Sequence, residues 1–202
     1  VQGRKRHRVA GKDVVAIVDP VAEEADKRDI RELDLDSFDA ALLCLPELAK
    51  PALLDILLEA GKHVLVEKPL CFADPGLYDR LAGHCKASGA VCYTAYNHRF
   101  EPFLERIGDI LRSGHLGKIY SLRLFYGNGT ARLIRESAWR DSGSGVLEDL
   151  GSHVLDLLQF WFGALPQDLR VSDARRFENR SFDHVLLHGG GEVMLQLEMT
   201  NL

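Results

Sequence analysis

The sequence predicts an α/β fold from three observations. Short, unbroken apolar runs end at proline or Asp-Pro, helical stretches lie between them, and the pattern changes after Asn97. The first two give a strand and helix alternation, which right-handed βαβ units turn into a parallel sheet. The third gives an α+β domain with an open, mainly antiparallel sheet. The expected domains are 1–98 and 99–202.

The elements follow in chain order. Arg4-Lys5-Arg6-His7-Arg8 lies in a helix-like stretch, and residues 14–18 (VVAIV) are β-branched enough for a strand buried on both faces, ending at Asp19-Pro20. Residues 21–29 read as a charged helix. A second buried strand, 40–45, is stopped by Pro46, and an apolar helix over 50–60 is ended by Gly61. The run 63–66 has the length of one strand; a helix over 75–88 and a strand over 90–95 complete this half. Beyond Asn97, residues 100–113 form an amphipathic helix closed by Gly114, and 118–126 alternate as a half-exposed strand should. Strands over 185–187 and 192–200 are joined by the turn at glycines 189–191.

Composition narrows the function classes. With 46% hydrophobic residues and a net charge of −5, the 202-residue chain is an ordinary folded protein without a broad cationic surface for nucleic acid. The basic run at 4–8 reads as a solvated helix face placed where a cofactor's phosphates are expected. No apolar stretch approaches the roughly twenty residues that span a bilayer. Cysteines 44, 71, 85 and 92 show no C-x-x-C pairing and read as reduced packing residues, which places the protein in the cytoplasm.

Three places carry chemistry. Glu67-Lys68-Pro69 follows the strand at 63–66, and ligands of open α/β sheets bind beyond the carboxyl ends of the strands, so Lys68 should face a ligand crevice. Its alternative is an exposed loop lysine paired with its neighbour. Asp19, at the end of a strand, can accept hydrogen bonds from both ribose hydroxyls of a dinucleotide and would repel a 2′-phosphate, favouring NAD over NADP; otherwise it is a turn-forming Asp-Pro. Gly3 reads as the third glycine of a G-x-G-x-x-G fingerprint, with the first strand and first two glycines lying ahead of Val1; the alternative is a protein that lacks the phosphate loop and cannot hold a dinucleotide tightly. Residues 143–163 combine a glycine-rich start with an apolar stripe at 147, 150, 154, 158 and 161. On another face Asp149 and His153, four apart, can meet side by side as a proton-transfer pair. A metal site at Asp149, His153 and Asp156 is disfavoured, because one helix with one histidine makes a poor ligand set. An i,i+4 pair that only stabilises its helix is the remaining alternative.

Taken together, Glu67-Lys68-Pro69, Tyr96-Asn97-His98-Arg99-Phe100, the stretch 113–119, Trp139-Arg140 and Gly145-x-x-x-Asp149-x-Gly151-x-His153-x-x-Asp156 occur in an order that resembles the Gfo/Idh/MocA oxidoreductases. The resemblance implies a Rossmann domain followed by an α+β domain, and hydride transfer between NAD(P) and a carbon of a sugar, inositol or related polyol. By the same resemblance Lys68, Asp149 and His153 are catalytic: Lys68 polarises the reacting oxygen, His153 is the acid/base, and Asp149 orients it or holds a substrate hydroxyl. Cofactor contacts fall to Gly3, Asp19, Pro46, Glu67, Lys68 and Asn97, and substrate contacts to Arg99, Trp139 and Arg140. The resemblance also implies a cis bond before Pro69 and a homodimer or homotetramer formed through the second sheet. Departures are the incomplete phosphate loop, Cys44-Leu45-Pro46 for a threonine-proline turn, Lys50 where histidine is frequent, and an end at Leu202 within strand-like sequence, so the chain is read as truncated at both ends. A sensor of nucleotide or sugar with the same fold, or an inert interaction module, are the alternatives.

Overall fold

The computed structural model describes residues 2–202 except Ala138 and Trp139. The chain divides into two compact units, Val1–Ala95 and Tyr96–Leu202.

In the first unit, three strands form a parallel sheet in the order β1 (Ala40–Leu43), β2 (His63–Val66), β3 (Cys92–Thr94). Helix α1 (Gln2–Ala10) precedes them, α2 (Lys50–Glu59) connects β1 to β2, and α3 (Pro75–Ser88) connects β2 to β3. Both crossovers carry the helical signals their sequences announce. Proline lies in the first turn of α2 and of α3, and the Asp74 carboxylate caps α3 through the Gly76 amide. Gly61 and Gly89, with φ of 74° and 75°, turn the chain out of the two helices. Leu54, Leu57 and Leu58 of α2 and Leu77 and Leu81 of α3 pack on Leu43, Val64 and Val66, all buried. Register pairs Ala41 with Val64 and Leu43 with Val66, so this face is the core. Leu42 and Tyr93, one residue out of phase, are exposed.

Two expectations for this unit fail. Residues 14–18 are not a strand, and among the described residues their only pairing is one bridge between Val18 and Lys27. Their backbone groups are satisfied by a loop: the Ile17 amide donates to Asp26 Oδ2 at 2.8 Å, and the Ile17 carbonyl accepts from Asp26 and Lys27. For the same reason 21–29 is a run of turns, since Asp19 and Asp26 bond the backbone in place of a helical ladder.

The second unit holds a four-stranded sheet in the order β4 (Ser121–Gly127), β7 (Met194–Thr200), β6 (His184–Gly189), β5 (Arg170–Arg175). Two of its three pairings are antiparallel, and β4 runs parallel to β7. Helix α4 (Pro102–Arg112), the short α5 (Ala131–Arg135) and α6 (Ser152–Phe162) complete it. Val154 and Leu158 of α6, with Val146 and Leu150 just before it, pack on Val185, Leu187, Leu195, Leu197 and Met199. The apolar stripe read from the sequence therefore meets one face of the sheet. Along β4 the alternation is regular: Leu122, Leu124 and Tyr126 turn inward, while Arg123 and Phe125 face out. Trp161 ties α6 to α4 by donating its indole N–H to the Leu104 carbonyl at 3.1 Å.

Candidate functional site

In the first unit the chemistry lies at the carboxyl edge of the sheet. The Glu67 amide still donates to the Leu43 carbonyl at 2.9 Å, and Ala95 donates to the Val66 carbonyl at 2.8 Å. Lys68 is the next residue beyond that ladder, half-buried, and the Lys68-Pro69 bond is cis. Its flanks are anchored. Glu67 accepts from Arg6 of α1, with nitrogen-oxygen separations of 2.7 and 2.8 Å, and its side chain is only 14% exposed. On the other side, Lys50 donates to the Pro69 carbonyl and, at 2.6 Å, to Glu47 Oε2, while Glu47 Oε1 accepts the Cys71 amide at 2.8 Å. The Lys50 side chain is 2% exposed, so one buried ammonium and one carboxylate hold the segment that leaves Lys68. Pro46 begins the 3₁₀ turn Glu47–Ala49 that presents both groups.

The residues expected from the sequence to meet a nucleotide lie in a helix and two turns. Gly3 lies in α1, where an added β-carbon would meet Cys44 Cβ at 3.8 Å, an ordinary van der Waals distance, so the spacing there also admits a methyl group. Burial pushes the Cys44 thiol pKa up, with the nearby Glu67 adding to it. Asp19 closes a turn: its Oδ1 accepts the Val21 and Ala22 amides, both at 2.9 Å, and these bonds hold its carboxyl below the usual carboxylate range. Asn97 is exposed in the 3₁₀ turn Asn97–Phe100 of the second unit.

In the second unit Asp149 and His153 lie where two helical forms meet. A π-helical turn, Leu147–Gly151, carries Asp149 and runs directly into α6, which carries His153. The sequence predicts an uninterrupted α-helix here. The wider turn follows from packing: Gly145, with φ of 55°, lies against the Phe182 carbonyl, Val146 donates to that carbonyl at 2.8 Å, and Leu147 folds over Gly151. Such a bulge re-aims the side chains on either side of it. Arg140 donates to Asp149 Oδ2 at 3.2 Å. His153 is buried, 6% exposed, with the rings of His98 at 4.4 Å and Tyr96 at 5.8 Å. Arg99 forms a two-pronged pair with Asp156 at 2.7 and 2.6 Å and lies over the Phe160 ring. Asp156, the third member of the disfavoured metal set, is thus an arginine partner, and among the described residues no three His, Cys, Asp or Glu side chains gather as a metal site. Trp139 lies outside the described residues.

Sequence reasoning missed the surroundings of His153. His98 bonds Glu101 through Nδ1 and the Tyr126 hydroxyl through Nε2, the latter at 3.0 Å. The i,i+3 spacing of His98 and Glu101 and the inward phase of Tyr126 were legible signals, but their convergence with α6 is tertiary. Burial, with Asp149 and Glu101 nearby, raises the Tyr126 pKa, so the phenol keeps its proton.

Comparison with known proteins fits this geometry. Residues 3–96 match the family model described as oxidoreductase family, NAD-binding Rossmann fold, and residues 104–201 match the GFO/IDH/MocA C-terminal domain. Trans-1,2-dihydrobenzene-1,2-diol dehydrogenase of Mus musculus is 32% identical over 147 residues, covering 71% of this chain and 43% of that protein. Levoglucosan dehydrogenase of Pseudarthrobacter phenanthrenivorans is 31% identical over 113 residues, covering 52% of this chain and 28% of its own length. The crystal structure of an inositol dehydrogenase homolog from Azotobacter vinelandii, complexed with NADH and myo-inositol, shares the fold: TM-score 0.70 at 23% identity, over 82% of this chain and 45% of the other. The chain spans less than half the length of each.

Proposed function

Because the chain belongs to the Gfo/Idh/MocA oxidoreductase family, we propose that it works as an NAD(P)-dependent dehydrogenase or reductase on a CH–OH carbon of a sugar, inositol or related polyol. The observation that carries this reading is Lys68 at the carboxyl edge of a parallel sheet, the ligand edge of such folds, with both of its flanks tied to buried groups. The relatives named for a vicinal diol and for levoglucosan support a hydroxylated carbon as the reacting centre.

Gly3 at the start of α1 fits a dinucleotide, since the helix amides there can meet a pyrophosphate. Both turn bonds of Asp19 come to Oδ1, so Oδ2 is the oxygen that would receive ribose hydroxyls, which favours NAD over NADP. Pro46, Glu67 and Asn97 complete the cofactor contacts. When bound, the nicotinamide supplies the hydride acceptor or donor. In alcohol oxidation His153 takes the hydroxyl proton while Lys68 stabilises negative charge growing on that oxygen. Asp149 orients the imidazole or holds a neighbouring hydroxyl, with Arg140 fixing its carboxylate. Substrate contacts fall in this reading to Arg99 and Arg140, and to Trp139, which lies outside the described residues. In this reading the protein acts in the cytoplasm and associates as a homodimer or homotetramer through the second sheet, whose outer face exposes Phe125. No described helix is long and apolar enough to cross a membrane.

The test is a nicotinamide absorbance screen with NAD and NADP against sugars, inositols, diols and sugar nucleotides, followed by Lys68→Met and His153→Ala. Each substitution should lower turnover by about 10²-fold or more while NAD affinity, measured by calorimetry, stays within a few-fold. Normal turnover in either variant would remove the assigned role. Cofactor binding with no turnover on any compound would favour the sensor instead.

A further inference from the structure

His153 is packed against a second imidazole that the reading above does not use. The His98 ring lies 4.4 Å from the His153 ring, centroid to centroid, with the planes inclined at 58°. His98 comes from the 3₁₀ turn Asn97–Phe100 and is held at both nitrogens: Nδ1 meets the Glu101 carboxylate, and Nε2 lies 3.0 Å from the Tyr126 hydroxyl on β4. Its side chain is only 16% exposed, whereas Glu101 is 47% exposed, so the carboxylate reaches water while the ring does not. Tyr126 also presents its ring edge to His153 at 6.5 Å.

With His98 neutral, the hydrogen-bond chemistry of this chain of groups has one consistent direction. An ionised carboxylate only accepts, so Nδ1 of His98 carries a proton. In the neutral ring the lone pair is then on Nε2, where it accepts the phenolic O–H of Tyr126. Burial together with Asp149 and Glu101 keeps that phenol protonated and therefore a donor. The imidazole is thus locked in plane and in tautomer by two side chains from different elements, and the His153 ring packs against it at 4.4 Å.

We propose that Glu101, His98 and Tyr126 form a positioning unit for His153: they fix the His98 ring in its Nδ1–H tautomer, and that ring sets the orientation of the His153 imidazole. The proposal rests on the reading of His153 as the acid/base. His98 is a positioning residue, not a catalytic one, because its contact is with His153.

The experiment uses nitrogen-15 histidine labelling and long-range proton and nitrogen correlation spectra of the whole chain, with Glu101→Gln and Tyr126→Phe as variants. Both retain the size of the side chain, and Phe retains the ring packed beside Leu122 and Leu124. His98 should show the Nδ1–H tautomer in the unsubstituted protein. Each variant should move the ring signals of His153, the effect passing through the His98 ring. With the best substrate from the screen, each should lower kcat about ten-fold with KM within about two-fold and an altered pH profile, while the thermal midpoint falls by only a few degrees, as one lost hydrogen bond requires. An Nε2–H tautomer at His98, or His153 signals and kcat unmoved by both substitutions, would overturn the proposal. If nothing turns over, the enzymatic reading fails, and the tautomer and the His153 signals still decide this one.

Discussion

Substituting Glu47 should damage the first unit more than substituting Lys50, although the two form one ion pair. Lys50 is 2% exposed and Glu47 is 31% exposed, so the pair is asymmetric toward water. Lys50→Met removes the ammonium and keeps most of the stem's volume; Glu47 then still accepts the Cys71 amide and is reached by solvent, and the Pro69 carbonyl loses one donor. A cost of about 1–2 kcal/mol follows, one charge-assisted bond less what water restores. Glu47→Gln instead leaves a buried cation with only neutral acceptors. Breaking a buried pair this way costs roughly 3–5 kcal/mol, reduced to about 2–4 here because the glutamine oxygen still accepts. The double variant should fall well short of the sum, with a coupling of about 1–3 kcal/mol. Amide exchange of the fully buried β2 residues Val64 and Val66 reads the effect within this unit. A loss of about 3 kcal/mol accelerates their exchange by roughly two orders of magnitude when opening is the limiting equilibrium. Lys50→Met proving the more damaging of the two, or additive effects in the double variant, would refute the assignment of Lys50 as a buried cation that depends on Glu47.

The backbone and the thiols give two further tests. At Gly145 the φ of 55° and a β-carbon position 2.3 Å from the Phe182 carbonyl oxygen make Gly145→Ala cost about 3 kcal/mol or more, read by Trp161 fluorescence in urea. Gly163, with φ of 78° and nothing within 4 Å of its β-carbon position, should lose only about 1 kcal/mol on the same change; equal losses would contradict the contact. Burial pushes the Cys92 thiol up to about 11 from 9.0, and Cys85 adds to it, so iodoacetamide at pH 8 should label exposed Cys71 well before Cys92. Because the folded-state value lies above the unfolded one, Cys92 should also lower stability as pH rises from about 9 to about 11; a Cys92→Ser variant with the same alkaline decline would refute that contribution.

Much of the fold was legible because its signals are local. The helix over 75–88 has a capping aspartate before it and a glycine after it, and the alternation in β4 needs only one buried face, so both follow from neighbours in the chain. The run at 14–18 shows the limit of that logic. Its β-branched composition permits a strand, but a strand also needs a partner ladder, and Asp26 with its neighbour supplies the hydrogen bonds instead. The candidate site divides the same way. Lys68 is announced by the strand before it and the proline after it, while Lys50, eighteen positions earlier, stands out only as a lysine where histidine is frequent until Pro69 and Glu47 are seen around its ammonium. His153 was visible as an i,i+4 neighbour of Asp149, yet the π-turn between them, set by Gly145 against Phe182, changes how that spacing places them. His98 stands out in the sequence only as one member of Tyr96-Asn97-His98-Arg99-Phe100. Its two clamps come from a residue three positions on and from a strand beyond α4, and the second of these is a contact that no period in the sequence encodes. Titratable groups that tune an imidazole are for this reason found by asking what packs on its ring, a question that a helical face answers only in part.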